Sequence, residues 1–331
     1  MASTTLPTLS DVAKAASVSS ATVSRYFSNP DSVATKTAER IRQAVLETGY
    51  TPNRLAGSLA SNKSQLVSIL IPQLAPSLFI ETIEALVSKL SSAGCIVTVG
   101  VTEFDAAHNE ALIMAALAYR AKAIIVTGEV SDEVRKFIRQ SSTTAIEIWD
   151  LPEDPIDIAV GFSHWEIGRS LAQFVRSRGY TRPHFVTNPG PRGIKRRNGF
   201  LEEWQTGTGC DVTESLMQLP FQPGAARRIF AEIQRLEERP DVVLCGPDWM
   251  AQGLIVEAMH FGLRVPEDIA VIGFGNSAVA SEMRPTITSV DIDDQRIAET
   301  IAEILLNRDR GEEIREKVVN TGFKIIARES A

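Results

Sequence analysis

The stretch TLSDVAKAASVSSATVSR, residues 8–25, decides the fold at the amino-terminal end of this chain of 331 residues. Leu9, Val12, Ala13 and Ala16 recur at helical spacing in its first half. A second short helix follows after a tight turn and ends on an arginine. This arrangement is typical of a helix-turn-helix, whose second helix enters the major groove of double-stranded DNA.

The helix ends in this region carry suitable capping residues. Thr8 and Asp11 have the spacing of a capping box, in a Thr-x-x-Asp variant. Ser19 is a good N-cap for the second helix. A third helix is expected over residues 35–48, and Gly49 would end it. The segment therefore predicts a small all-α headpiece.

The second helix has an apolar and a polar face. Val18, Val23 and Phe27 are expected to pack inward. The polar face holds short side chains and one arginine: Ser20, Ala21, Thr22, Ser24 and Arg25. Taken alone, this segment also fits a generic three-helix cap on an enzyme.

The next segment, YTPNRLAGSLASNKS at 50–64, predicts a helix of one or two turns after Pro52. Gly57 lowers its helix propensity by about 1 kcal/mol relative to alanine. A helix this short is not stable alone in water. We expect it to fold on DNA beside a second copy of the chain, and to be a flexible linker otherwise.

Three motifs carry a family resemblance: VSSATVSR at 18–25, VATKTAERI at 33–41 and GYTPNRLAGSLA at 49–60. Residues 8–61 resemble, almost without interruption, the DNA-binding headpiece of the lactose-repressor (LacI/GalR) family. The resemblance implies a transcriptional regulator that binds a pseudo-palindromic operator as a homodimer. It implies a helix-turn-helix domain over 1–51, a hinge over 52–63 and an effector-binding and dimerisation domain over 64–331.

By their positions in these motifs, Ser20, Ala21 and Arg25 resemble the residues that read bases. Arginine suits guanine, whose O6 and N7 accept a bidentate pair of hydrogen bonds. Leu59 resembles the hinge leucine of the family, which wedges into a minor-groove step and bends the duplex.

Other residues are implied to position the protein on the DNA backbone. Thr22, Asn53 and Arg54 resemble contacts to phosphate or sugar. Four more complete the expected DNA-binding set: Thr8, Ser19, Ser24 and Ala56. Ser17 departs from the family pattern, which usually has glycine in the turn. A left-handed serine costs about 1 kcal/mol there, so we expect a strained turn.

Charge divides the chain. Residues 1–63 have a net charge of +3, whereas the whole chain is at −7, so residues 64–331 carry −10. The basic end is attracted to DNA and the acidic remainder is repelled by it.

Residues 64–331 are predicted to be α/β. Short apolar runs that do not alternate, typical of buried parallel strands, are separated by amphipathic helices. These runs are 66–72, 95–100, 123–128, 144–149, 156–162, 184–187, 241–246, 269–274 and 287–292. So many units favour two doubly wound lobes with a cleft between them. The family resemblance implies the same core, similar to periplasmic sugar-binding proteins, with the chain crossing between lobes near 161, 291 and 321.

Enzyme and metal signatures are missing from the sequence. The run NPGPRGIKRRNG at 188–199 lacks the Gly-Lys-Ser/Thr of a phosphate loop, and the four histidines show no metal-ligand spacing. We therefore expect no enzyme activity, no cofactor and no metal. No apolar run is long enough to cross a membrane, and Cys95 and Cys245 fall in predicted strands as reduced thiols. The expected location is the cytoplasm of a bacterium, at the nucleoid.

An effector is expected at the strand ends that face the cleft. The predicted set is Phe79, Trp149, Asp150, Arg196, Asp248, Gly275 and Asn276. Arg196 matches the arginine with which the family binds effector hydroxyls or carboxylates. Pro247 replaces a usual asparagine, and small or neutral residues stand at 275–276 where many members carry two aspartates. Lys195 and Arg197 would make the cleft more positive, unless they point to solvent.

The segment EIWDLPEDPIDIAVGF at 147–162 and the Gly-Phe pair at 273–274 most resemble the gluconate-repressor branch of the family. A positive cleft agrees with an anionic effector, since arginine pairs bidentately with carboxylate. We expect gluconate, a related sugar acid or its phosphate. The alternatives are a neutral sugar or nucleoside as effector, an architectural DNA binder, or a DNA-tethered enzyme that modifies a sugar.

Overall fold

The computed structural model describes residues 6–51, 64–75, 79–222 and 224–331. The chain divides into two compact units, Met1–Ser64 and Gln65–Ala331. Within the described ranges, no helix is both long and apolar enough to span a membrane.

Over residues 6–51, the first unit forms three α-helices, α1 (Leu9–Ala15), α2 (Ser20–Ser28) and α3 (Thr35–Thr48). They enclose a small apolar core made of Val12, Ala13, Ala16, Val23, Ile41 and Ala44. Val18 and Phe27 pack against this core, so the apolar face of α2 points inward as expected.

Local capping explains where these helices begin and end. The capping box of Thr8 and Asp11 is present, and the Thr8 amide donates to the Asp11 carboxylate at 2.8 Å. Ser19 Oγ accepts from the Thr22 amide at 3.2 Å. Gly49 ends α3 in the left-handed conformation, at φ +66°.

The turn between α1 and α2 is strained. Ser17 adopts φ +51°, in the left-handed region that favours glycine. Arg40, on α3, donates to the backbone carbonyls of Ala16 and Ser17, the latter at 2.9 Å. The Arg40 side chain therefore stabilises the turn that contains the strained backbone of Ser17.

The second unit begins with a lobe built on a six-stranded parallel sheet, whose strand order is β2-β1-β3-β4-β5-β11. Its strands are β1 (Leu66–Ile71), β2 (Ile96–Val101), β3 (Ala123–Val126), β4 (Thr144–Ile148), β5 (Ile158–Gly161) and β11 (Val318–Asn320). Its helices are α4 (Ile80–Ser92), α5 (Ala106–Ala118), α6 (Asp132–Gln140) and α12 (Asp294–Asp309).

The second lobe has a six-stranded sheet of order β7-β6-β8-β9-β10-β12, in which only β12 is antiparallel to its neighbour. Its strands are β6 (Pro183–Thr187), β7 (Thr213–Leu216), β8 (Val242–Leu244), β9 (Ala270–Phe274), β10 (Thr288–Asp291) and β12 (Lys324–Ile326). Its helices are α7 (His164–Ser177), α8 (Pro191–Thr208), α9 (Ala225–Ile233), α10 (Asp248–His260) and α11 (Ala278–Glu282).

The chain passes between the lobes three times: from β5 into α7, from β10 into α12, and from β11 into β12. The first two crossings leave the carboxyl ends of parallel strands, where open α/β sheets form their ligand crevices. Both crossings therefore lie next to the cleft.

The strain at Ser17 makes a prediction. Ser17→Gly should stabilise the headpiece by about 0.5–1 kcal/mol, because glycine adopts the left-handed conformation without a Cβ penalty. Hydrogen exchange of the α1 and α2 amides in the full-length chain measures the local stability. As a control, Ser24→Gly, within α2, should lower it. A destabilised headpiece in Ser17→Gly would contradict the argument.

Candidate functional site

The recognition helix α2 presents the predicted polar face. Ser20, Ala21, Ser24 and Arg25 are exposed, whereas Thr22 is half-buried and lies 2.9 Å from Ser19 through their hydroxyl oxygens. Thr8 is exposed at the start of α1, with its hydroxyl bonded to Asp11. Asn53, Arg54, Ala56 and Leu59 lie outside the described residues.

The cleft is floored by an aromatic cluster to which both lobes contribute. Trp149 follows β4, is 1% exposed and adopts φ +69°. Its ring centroid lies 4.7 Å from Phe79, 5.7 Å from Phe162 and 6.3 Å from Phe274. Phe274 ends β9, so this cluster joins the carboxyl ends of strands from the two sheets.

Arg196, on α8, is a buried cation at this floor. It is 7% exposed, and its guanidinium lies over the Phe274 ring at 4.4 Å from the centroid. Its Nη1 donates to His164 Nδ1 at 3.1 Å. No carboxylate forms an ion pair with it in the described part of the chain, and burial lowers its pKa to about 10.

His164 is held as a neutral acceptor. Its Nε2 lies 2.9 Å from the Trp149 carbonyl, which can only accept, so the ring proton belongs on Nε2 and Nδ1 is free to accept from Arg196. Burial, and then the nearby charges of Arg196 and Arg192, hold the pKa of His164 well below its usual value. The neutral ring thus binds the cation without adding charge.

Arg192, which the sequence reasoning missed, is a second cation at the cleft. It lies one helical turn before Arg196, in the first turn of α8, and donates to the Ile148 carbonyl of the other lobe at 2.8 Å. Burial lowers its pKa to about 10. No ion pair joins it to a described carboxylate. The spacing of four residues from Arg196 was the available signal, since such residues share a helix face.

The other two basic residues of this helix lie differently. Lys195 is exposed and pairs with Asp150 at 2.8 Å. Arg197 is half-buried and pairs with Glu214 on β7, with Nη2 at 2.6 Å from Oε1. Lys195 thus bridges the lobes at the rim, and the charge of Arg197 is directed to β7.

Asp248 organises the loop on the second lobe. It is 2% exposed, and its carboxylate accepts from Ser289 Oγ at 2.6 Å and from the Ser277 amide at 2.7 Å. Burial raises its pKa, and these hydrogen bonds oppose the rise. A Cβ on Gly273 would lie 2.2 Å from Asp248 Oδ1, so only glycine fits there.

The two remaining predicted residues lie on that loop. Gly275 adopts φ +115°. The side-chain Oδ1 of Asn276 accepts from Arg328 Nη2 at 2.6 Å, and the backbone amide of Asn276 donates to Ser289 Oγ at 3.0 Å. The side chains of Asp248 and Asn276 are thus bonded within their own lobe, whereas the side chain of Arg192 reaches the other lobe.

The lobes also meet at the cleft mouth. Gln73, just after β1, makes two hydrogen bonds with the Phe221 backbone, accepting from its amide and donating to its carbonyl, each at 3.0 Å. Phe104 packs edge-on against the Phe221 ring, with centroids 6.0 Å apart. Sequence reasoning missed Phe221, because it lies in a loop without a strand pattern.

Comparison with known proteins identifies the class. Residues 8–53 match the family described as bacterial regulatory proteins, lacI family, and residues 172–331 match the periplasmic binding protein-like domain. The chain belongs to the LacI family. It is a DNA-binding transcriptional regulator with a helix-turn-helix headpiece and a two-lobe α/β core.

Two relatives and one solved structure are similar over nearly the whole chain. The HTH-type transcriptional regulator GntR of Pseudomonas aeruginosa is 33% identical over 98% of this chain and 95% of its own length. The HTH-type transcriptional repressor PurR of Erwinia tasmaniensis is 29% identical over 92% of this chain and 90% of its own length. A LacI-family regulator from Silicibacter pomeroyi, 28% identical, superposes with a TM-score of 0.87 over 98% of this chain and 99% of its own.

The lack of space for a Cβ at Gly273, beside Asp248, leads to a testable prediction. Gly273→Ala should lower the free energy of unfolding of the core by about 2–3 kcal/mol, because the added methyl group displaces a buried hydrogen-bonded carboxylate. Gly246→Ala is the matched control, since its Cβ would meet nothing closer than 3.8 Å. Urea unfolding followed by circular dichroism compares the two. Equal losses would show that the Asp248 network is not held by this contact.

Proposed function

We propose that this regulator is a homodimeric repressor of sugar-acid catabolic genes and that an anionic effector in the cleft, gluconate or a related sugar acid or its phosphate, releases it from its operator. The observation that carries the proposal is the pair of guanidinium groups, Arg192 and Arg196, without carboxylate partners at the cleft.

Desolvated cations favour an anionic ligand. Burying a charge without a counter-ion is costly, and the lowered pKa of Arg196 reflects that cost. Burial also lowers the pKa of Arg192, although the charges of Asp150 and Glu147 oppose the change. An incoming carboxylate would offset it, and two guanidinium groups on one face offer bidentate geometry. The amino-terminal turn of α8, which starts at Pro191, adds the positive end of a helix dipole. A neutral sugar or nucleoside would leave both cations unpaired.

The comparisons agree with the gluconate assignment without deciding it. The relative named GntR fits the gluconate-repressor branch that the sequence resembles. The relative named PurR covers almost as much of the chain, so family membership alone does not select the effector. The proposal for gluconate therefore depends on the charge of the cleft.

The proposed output is binding to a two-fold operator. One recognition helix reads too few base pairs for specificity, and paired half-sites require a dimer. The lac repressor, whose structure is 22% identical in sequence with a TM-score of 0.82, binds its operator as a dimer. Arg25 is the proposed guanine reader on the exposed face of α2, and effector-induced lobe movement would change the spacing of the two headpieces. A coupling free energy of about 1–3 kcal/mol is enough to change operator occupancy strongly.

The effector proposal is tested by calorimetric titration with gluconate. Arg196→Gln should weaken gluconate binding at least about 30-fold, because it removes a charge-assisted bidentate contact. Arg197→Gln, one residue along the helix and paired with Glu214, should change it less than about threefold. An absence of heat in the wild-type protein at millimolar gluconate, with strong binding of a neutral sugar, would reject the proposal.

The DNA-binding proposal is tested with Arg25→Ala on operator and random duplexes at one salt concentration. Specific affinity should fall by about 10- to 100-fold, the worth of a bidentate guanine contact, while nonspecific affinity changes little. Arg42→Ala on α3, where Arg42 pairs with Glu39, is the charge-matched control and should affect both duplexes equally. Equal losses for Arg25→Ala on both DNAs would make it a phosphate contact.

A further inference from the structure

Arg196 is one end of a hydrogen-bond chain that crosses from one lobe to the other. His164 accepts from Arg196 at 3.1 Å and donates to the Trp149 carbonyl at 2.9 Å. The Trp149 indole Nε1 donates to Thr82 Oγ1 at 2.9 Å, and the Thr82 hydroxyl donates to the carboxyl group of Asp294. We call these five residues the hinge relay.

The relay is attached to both crossings that border the cleft. His164 is the first residue of α7, three residues after β5 ends, and Asp294 is the first residue of α12, three residues after β10 ends. Thr82 lies on α4, which packs against α12. A change in the angle between the lobes would therefore alter the relay's geometry.

The donors in the relay run in fixed directions. Neutral His164 can accept only on Nδ1, and an indole N–H can only donate. Thr82 is fully buried, so its hydroxyl has no exposure to water. With Asp294 ionised, the Thr82 hydroxyl must donate to it and present a lone pair to Trp149. The protonation state of Asp294 thus determines the strength of the hydrogen bond that the Trp149 indole donates to Thr82.

The surroundings of Asp294 make that state variable. The charged groups that act on it are carboxylates: Glu81 on α4, Asp291 at the end of β10 and Asp293 beside it. Burial first, and then these negative charges, raise the pKa of Asp294 to about 7, although the Thr82 hydrogen bond opposes the rise. An ion pair of Lys89 with Glu299 joins α4 to α12 further along both helices.

We propose that His164, Thr82 and Asp294 are positioning residues, which hold Trp149 and Arg196 in the orientation that an anionic effector meets and tie that orientation to the hinge. Only its consequence for effector affinity rests on the proposed function. Ionised Asp294 makes a charge-assisted hydrogen bond, which is roughly twice as strong as a neutral one. At a pH above the pKa of Asp294, the hydrogen bonds of the relay are therefore stronger than at a pH below it. The anion is then bound more tightly as well.

The first test needs no effector. In protein labelled with 5-fluorotryptophan, the ¹⁹F signal of Trp149, assigned with Trp149→Phe, should titrate with a midpoint near the Asp294 pKa of about 7. Asp294→Asn and Thr82→Val should abolish this titration, whereas Thr82→Ser, which keeps the hydroxyl, should retain it. Glu299→Gln, on the same helix and outside the relay, should also retain it. A Trp149 signal that does not titrate, or one that still titrates in Asp294→Asn, overturns the proposal.

The second test links the relay to the effector. Gluconate is fully ionised at pH 6 and pH 8, so any difference in its affinity comes from the protein. Wild-type protein should bind it about three- to tenfold more tightly at pH 8, and Asp294→Asn should remove that difference. His164→Leu should weaken binding about tenfold, with partial recovery in His164→Gln, which can still donate to the Trp149 carbonyl.

The two tests separate the two proposals. If gluconate does not bind but Trp149 titrates through Asp294, the effector assignment fails and the relay stands. If gluconate binds but its pH dependence is unchanged in Asp294→Asn, the relay is overturned and the effector assignment stands.

Discussion

The guanidinium of Arg196 is the constraint on which the core of this protein depends. A buried cation without a carboxylate partner must be stabilised by uncharged groups, such as a neutral hydrogen-bond acceptor or the face of an aromatic ring. Neutral His164 supplies the acceptor and the Phe274 ring supplies the face. His164 is neutral because burial and the charges of Arg196 and Arg192 lower its pKa, and its other nitrogen donates to the Trp149 carbonyl in the opposite lobe. The contacts of this cation therefore depend on both lobes. In the proposed function, closure of the lobes and binding of an anionic effector belong to one equilibrium.

The sheets place these groups together. Because the neighbouring strands of each sheet are mostly parallel, their carboxyl ends lie at the same edge, and loops that are distant in sequence meet there. On the second lobe, Asp248 stabilises one loop by accepting hydrogen bonds from Ser277 and Ser289. The two arginines at the cleft come from a different element, α8. The headpiece follows a different logic, since its core and caps are local and its polar face on α2 is complete without the rest of the chain.

This difference explains which features the sequence predicted. The capping box at Thr8, the N-cap at Ser19 and the left-handed end at Gly49 depend on a few neighbouring residues, and all three are present. Uninterrupted apolar runs identified the central strands, since both faces of the sheet are covered there. The run at 95–100 was wrongly predicted to be buried, because it forms the edge strand β2, whose residues are exposed or half-buried. Lys195 and Arg197 have the same charge as Arg196, but successive helical residues point about 100° apart, so each meets a different partner.

The sequence by itself determined the headpiece, the strand-helix alternation and the family, because each is written in short-range patterns of polarity and capping. The tertiary structure decided which cations lack partners, that Phe221 and Gln73 join the lobes, and that His164 connects Arg196 to Trp149. Those features depend on where the two sheets meet and on which side chains of α8 face the first lobe. Side-chain pairing across a cleft leaves no periodic signal in the sequence.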